Sequence, residues 1–209
     1  MTLLEALRTA RLVAIVRGSG VDAALRSVQT LVAEGVNLIE VSLTSADATT
    51  VIARARDDLG PDAWLGAGTV VTVDDVTRAT DAGASFVVTP ALGASITESR
   101  RRELPVIAGA LTPSEVVSAL ERGADAVKLF PASLGGPGYF RALRGPFPQV
   151  PFVPVGGVDE DAARAYLAAG AVAVGVGSPL VGDAASGGSL DELRRRARAF
   201  RHAVEAVGP

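Results

Sequence analysis

Two residues in this chain combine a reactive type with a setting that suits covalent chemistry. Lys128 lies in Ala-Val-Lys-Leu-Phe and Glu40 in Leu-Ile-Glu-Val-Ser, both short apolar runs. Burying a charged amine in such a run is costly, which favours the neutral, nucleophilic form needed to attack a carbonyl. A carboxylate in such a run is rarely left unpaired. Near the amine it can move protons to and from a carbinolamine and a substrate hydroxyl. Composition sharpens the first point. Lys plus Arg total 20, of which 19 are Arg and one is Lys. Arginine holds its proton near neutral pH, whereas a desolvated lysine releases it. The plainer alternatives are a leftover surface lysine, a lysine whose stem is buried and whose tip reaches solvent, and a structural ion pair of Glu40 with Lys128 or Arg17.

Other chemistries find little support. There is no cysteine, so disulfides and thiolate catalysis are excluded. The one histidine, His202, sits in a C-terminal segment that reads as a solvated helix, which leaves a His-based metal site or a Ser-His-Asp triad without its imidazole. A net charge of −3, with only short Arg runs at 100–102 and near the C-terminus, argues against a nucleic-acid partner. No signal-peptide pattern is seen, and no apolar run approaches the ~20 residues of a membrane span. The expectation is a soluble, cytoplasmic protein with no membrane partner.

The elements that must position these residues follow one design. Runs rich in β-formers at 12–16, 36–42, 63–69, 85–89, 105–109, 124–130, 152–155 and 172–176 alternate with amphipathic stretches such as 21–34 and 46–59. Thr112-Pro113 opens another helix as an N-cap and first-turn pair, and a last helix spans about 190–207. Gly35, Gly83, Gly123 and Gly170 each stop a helix just before a strand, where glycine takes the left-handed conformation cheaply. Hydrophobic residues make up 48% and aromatics only 4%, so the core is built of Ala, Val, Leu and Ile, as parallel strands covered on both faces require. Eight strand–helix units without a linker predict one (β/α)₈ TIM barrel over residues 1–209, with an open doubly wound sheet as the alternative. A helix over 3–9 would cover the N-terminal end of that barrel.

Such barrels build their active sites at the C-terminal ends of the strands. In chain order those ends carry Arg17; Glu40 leading to Thr44; Gly66-Ala-Gly-Thr69; Thr89-Pro90; Gly109; Lys128 and Phe130; Gly156-Gly157 after Val155; and Gly177-Ser178. Alternation places Ala126, Lys128 and Phe130 on one face, expected to be the barrel interior. Gly156, Gly157, Gly177 and Ser178 follow the seventh and eighth strands, where barrels bind phosphate through backbone N–H groups and a helix N-terminus. Tight turns alone would also use these glycines. The Gly66-Ala-Gly spacing does not match a dinucleotide fingerprint.

Taken together, these stretches resemble the bacterial 2-keto-3-deoxy-6-phosphogluconate (KDPG) aldolases, class I pyruvate aldolases of the Entner–Doudoroff pathway. The matching segments are 15–17, 38–41, 66–70, 111–115, 128–131, 145–150, 156–158 and 174–178. The resemblance implies a homotrimeric barrel without metal or cofactor. Its reaction would cleave 2-dehydro-3-deoxy-6-phosphogluconate to pyruvate and D-glyceraldehyde 3-phosphate. It assigns the Schiff base to Lys128, acid/base work to Glu40, a pyruvate contact to Thr69, and phosphate to Gly156, Gly157, Gly177 and Ser178. Arg17, Pro90 and Phe130 fall on further substrate-binding positions.

Two departures bear on specificity. Thr44 stands where some members have an arginine for the pyruvate carboxylate, so that group would rely on Arg17, Thr69 and backbone amides. Val155 replaces the usual threonine before Gly-Gly. With Arg17-Gly18 and Val88-Thr89-Pro90 it is similar to the sister 6-phosphogalactonate aldolases, which use the epimeric substrate. The 111–115 and 145–150 segments match the gluconate branch. An isomerase or epimerase that shares only the phosphate site, and a non-catalytic phosphosugar-binding barrel, are the competing functions. The preferred epimer and action on 4-hydroxy-2-oxoglutarate are not decided at this level.

Overall fold

The computed structural model describes residues 1–208. A helix α1 (Leu3–Ala10), opened by a Thr2/Glu5 capping box, precedes β1 (Leu12–Val16). Then follow α2 (Val21–Ala33), β2 (Leu38–Ser42), α3 (Ala48–Leu59), β3 (Trp64–Gly68), α4 (Val73–Asp81), β4 (Val87–Val88), α5 (Ala94–Arg101) and β5 (Val106–Ala110). The second half runs α6 (Pro113–Glu121), β6 (Ala126–Leu129), α7 (Gly136–Arg144), β7 (Phe152–Pro154), α8 (Glu160–Ala168), β8 (Val174–Val176), α9 (Ser178–Val181) and α10 (Leu190–Glu205). Short 3₁₀ turns at Ala132–Leu134 and Ala184–Ser186 complete the loops after β6 and α9.

The eight strands pair in parallel in the order β7-β6-β5-β4-β3-β2-β1-β8. A parallel bridge between Val155 and Gly175 joins the two ends, and the Val172 N–H donates to the Phe152 carbonyl at 3.0 Å. The sheet is therefore a nearly closed (β/α)₈ barrel, and the open-sheet alternative is excluded.

Strand alternation divides the core into two layers. Along β6, Val127 and Leu129 pack outward beneath the helices, while Ala126 faces the barrel interior with Val13, Leu38, Phe86, Ile107 and Val153. Leu3, Ala6 and Leu7 of α1 join that interior cluster and close the N-terminal end. Chemistry is thereby left to the opposite end, where the interior strand positions become polar.

Several strands begin about two residues later than their apolar runs. Gly35, Gly83, Gly123 and Gly170 all adopt positive φ just past a helix. The next N–H then turns back to the helix: Val36 to Leu31, Ala84 to Ala79, Ala124 to Ala119 and Ala171 to Tyr166, at 2.9–3.1 Å. This six-to-one closure occupies the residue that sequence pattern assigns to the strand. Helix α7 is the helix that the repeating unit places between the sixth and seventh strands, although it opens with Gly136-Pro-Gly138, where the two glycines are poor helix formers.

Candidate active site

At the C-terminal end of the barrel a cavity of about 380 Å³ opens between the strand ends. Lys128 and Glu40 both line it, and they are only 6% and 3% exposed. Lys128 is fixed by the pairing of β6 with β5 and β7, where it lies beside Gly109 and Val153. Glu40 is set between Ile15 on β1 and Gly66 on β3. Neither side chain forms an ion pair within 4.0 Å among the described residues. Burial pushes the Glu40 carboxyl above its ordinary range, and the positive charges of Lys128 and Arg17 offset part of that rise. A carboxyl whose range is raised by burial holds a proton more readily than a solvated one, which suits a group that must both take and return a proton. The Lys128 Nζ lies 5.0 Å from the centre of the Phe130 ring, which covers one side of the amine.

A hydroxyl cluster occupies one side of the site. Ser42 Oγ lies 2.9 Å from Thr69 Oγ1 and 2.8 Å from Thr44 Oγ1, and it accepts from Arg17 Nε at 3.5 Å. Thr69 and Arg17 line the cavity. Thr69 has φ 59°, an uncommon left-handed conformation for a threonine, which turns the chain sharply at the end of β3. Pro90 faces the cavity from the end of β4. Its backbone packs directly over Gly109, where a Cβ would collide with it.

The far side is made of backbone. Val155, Gly156 and Gly157 follow β7, and Gly177 and Ser178 lead from β8 into α9. Gly156 and Gly157 have φ of 99° and 70°, values open to glycine but strained for other residues. The loop after β6 is tied to this turn, since Ala132 N–H donates to Val155 O at 2.8 Å and Ser133 N–H to Gly156 O at 3.0 Å. Tyr166 O–H donates to Ala132 O at 2.8 Å and anchors that loop from below. Together these bonds fix Phe130 relative to the glycine pair. The start of α9 adds N–H groups and the Ser178 hydroxyl, a setting that suits an anion.

Of the residues singled out in the sequence, Lys128, Glu40, Arg17, Thr69, Pro90, Phe130, Val155, Gly156, Gly157, Gly177 and Ser178 line this one cavity. Thr44 does not; it is exposed and reaches the site only through Ser42. Ile15, Gly175, Val181 and Gly182 also line the cavity, and Ser42 stands just behind it. Ile15, Ser42 and Gly175 had a sequence signal, each being two residues from a chosen one along its strand; Val181 and Gly182 had none. Among the described residues no cluster of His, Cys, Asp or Glu is placed to hold a metal.

Residues 3–195 match the family model described as KDPG and KHG aldolase, where KHG is 4-hydroxy-2-oxoglutarate. The chain belongs to the KDPG and KHG aldolase family. This aldolase is thus a carbon–carbon lyase. It is 35% identical over 170 residues, 80% of each chain, to a 2-dehydro-3-deoxy-phosphogluconate aldolase of Treponema pallidum. It is 34% identical over 199 residues to a 2-dehydro-3-deoxy-6-phosphogalactonate aldolase of Escherichia coli K12, covering 94% of this chain and 96% of that one. A solved KDPG aldolase from Legionella pneumophila, with pyruvate captured at low pH as a covalent carbinolamine, matches the fold with a TM-score of 0.83. Identity to that structure is 28%, over 100% of this aldolase and 99% of the other chain.

Proposed function

We propose that this aldolase cleaves 2-dehydro-3-deoxy-6-phosphogluconate to pyruvate and D-glyceraldehyde 3-phosphate through a Schiff base on Lys128. The observation that carries the reading is the pair Lys128 and Glu40, both buried, facing one cavity and not neutralising each other in an ion pair. The Lys128 amine adds to the keto carbon of the substrate, and loss of water gives an iminium. Glu40 takes the proton of the carbinol next to the scissile bond. That bond breaks, its electron pair moves into an enamine, and the phosphorylated aldehyde leaves. Protonation of the enamine carbon and hydrolysis release pyruvate and free the amine. Glu40 carries the protons in both directions, as its raised protonation range permits. These steps need no metal or cofactor. Arg17 and Thr69 receive the carboxylate end, while Gly156, Gly157, Gly177 and Ser178 receive the phosphate.

The captured pyruvate carbinolamine in the Legionella relative supports the covalent step. Reduction with sodium borohydride in the presence of pyruvate tests it. One reduced pyruvate adduct per chain, on Lys128, is expected, and Lys128→Arg should abolish turnover because a guanidinium forms no Schiff base. An intact mass without adduct, or an adduct on the N-terminal amine, rejects the assignment. It would also favour a non-catalytic phosphosugar-binding barrel.

Cleavage of the epimeric galactonate-type phosphate is the second reading. It is favoured by Val155 before Gly156-Gly157 and by the similarity to the Escherichia coli galactonate-type enzyme. A cytoplasmic homotrimer belongs to the same proposal. The exposed Val71, Val73, Val117 and Leu120 offer apolar surface for subunit contacts. Sedimentation at three times the 21.2 kDa chain mass is the expected result.

A further inference from the structure

Ser42 lies behind the cavity, fully buried at the end of β2, and takes no part in the covalent steps above. It makes three polar contacts: 2.8 Å to Thr44, 2.9 Å to Thr69 and 3.5 Å to Arg17 Nε. A serine hydroxyl has one proton to give and two lone pairs to receive with. Arginine only donates, so its bond uses one lone pair. Of the two threonines, one then donates to Ser42 and the other accepts from it.

Position decides between them. Thr44 is exposed and can exchange bonds with water, whereas Thr69 lines the cavity. If Ser42 gives its proton to Thr69, the Thr69 proton is free to point into the cavity at a ligand oxygen. The same arrangement holds Arg17 by Nε and leaves the two terminal nitrogens of its fork free for the cavity. A carboxylate accepts only, so both freed donors match it.

We propose that Ser42 is a positioning residue that aims the donors of Arg17 and Thr69 at the carboxylate of the keto acid, with Thr44 as the outer end of the relay. This rests on the reading of the cavity as a keto-acid site. In this chain the serine hydroxyl organises carboxylate recognition from behind, through hydrogen bonds to two residues that make the contact.

The test is run in the direction of condensation, where the two substrates enter separately. Ser42→Ala should raise the KM for pyruvate by about five- to tenfold, the usual worth of one lost hydrogen bond. The KM for D-glyceraldehyde 3-phosphate and kcat should stay within about threefold, since remote positioning of the carboxylate precedes the chemical step. Thr69→Val should raise the pyruvate KM similarly, and the double variant should fall short of the product of the two effects, because both break one chain of bonds. Ser42→Cys keeps the volume with a weak donor and carries the same test if the alanine variant folds poorly. An unchanged pyruvate KM, equal changes in both KM values, or fully multiplicative effects overturns the proposal. Failure of the unmodified protein to trap pyruvate with borohydride is a separate result, and it removes the aldolase reading itself.

Discussion

Gly68 makes the space that the Glu40 carboxylate occupies. A Cβ built on Gly68 would come within 2.5 Å of Glu40 Oε1 and 2.8 Å of its Cδ. The two residues sit on neighbouring strands, with Glu40 paired to Gly66 and Ser42 to Gly68. Gly68 does not need positive φ, so alanine fits the backbone there and the carboxylate is what must move. With Glu40 as the proposed proton carrier, Gly68→Ala should lower kcat by about 10²-fold, the cost of displacing such a group by about an ångström. The thermal midpoint should change by less than about 4 °C, the effect of about 1 kcal/mol in a chain of this size. Steady-state kinetics beside a melting curve separate the two effects; a variant with normal kcat shows that Glu40 works equally well elsewhere.

Glu40→Gln should lower turnover by roughly 10²–10⁴, the usual range for a general acid/base. It should also change stability with a defined sign. Because burial raises the carboxyl's range in the folded protein, the folded state binds this proton more tightly than the unfolded chain does. Stability from Glu40 is therefore fully present below the ordinary carboxyl range, at about pH 4.5, and declines as pH rises toward the raised value. Glutamine has no proton to lose. Its melting temperature should exceed that of the unmodified protein by more at pH 8 than at pH 4. A difference that is constant over this interval shows that Glu40 is not held protonated by burial.

Ser178 begins α9 beside Gly177 at the cavity's far side. If Ser178 holds phosphate as proposed, Ser178→Ala should weaken kcat/KM for the phosphorylated substrate more than for its unphosphorylated counterpart, because that binding energy is lost only where phosphate is present. Comparing the two substrates on both proteins reads this directly. Equal losses place the hydroxyl away from the phosphate.

Val155 sits in space that Gly175 leaves open, since a Cβ at Gly175 would lie 2.6 Å from Val155 Cγ2. A valine offers no donor to the substrate hydroxyl near the reacting carbon, and selectivity for a hydroxyl depends on pairing it. Both epimeric phosphates should be cleaved, with a preference of less than about a hundredfold. Measuring kcat/KM on each purified epimer decides the matter. A preference above about a thousandfold shows that Val155 does not relax selectivity, and Val155→Thr is then the variant to measure.

The sequence by itself determined the repeating unit and the chemistry on offer. Helix stops at Gly35, Gly83, Gly123 and Gly170 are local events, set by backbone sterics within a few residues. Alternation along one strand likewise put Lys128 on the face opposite Val127 and Leu129. Such features need no distant partner. The tertiary structure decided everything that depends on the barrel's closure. Glu40 on β2 and Lys128 on β6 meet only because eight parallel strands curve into a ring. Thr44 looked like a cavity residue by its position after Glu40. The chain turns after Ser42, however, and Thr44 is left outside with one hydrogen bond inward. The clearance at Gly68, the hub at Ser42 and the fit of Val155 over Gly175 are contacts between different strands. Their geometry is fixed by pairing register and close packing, which a periodic pattern in one segment does not encode.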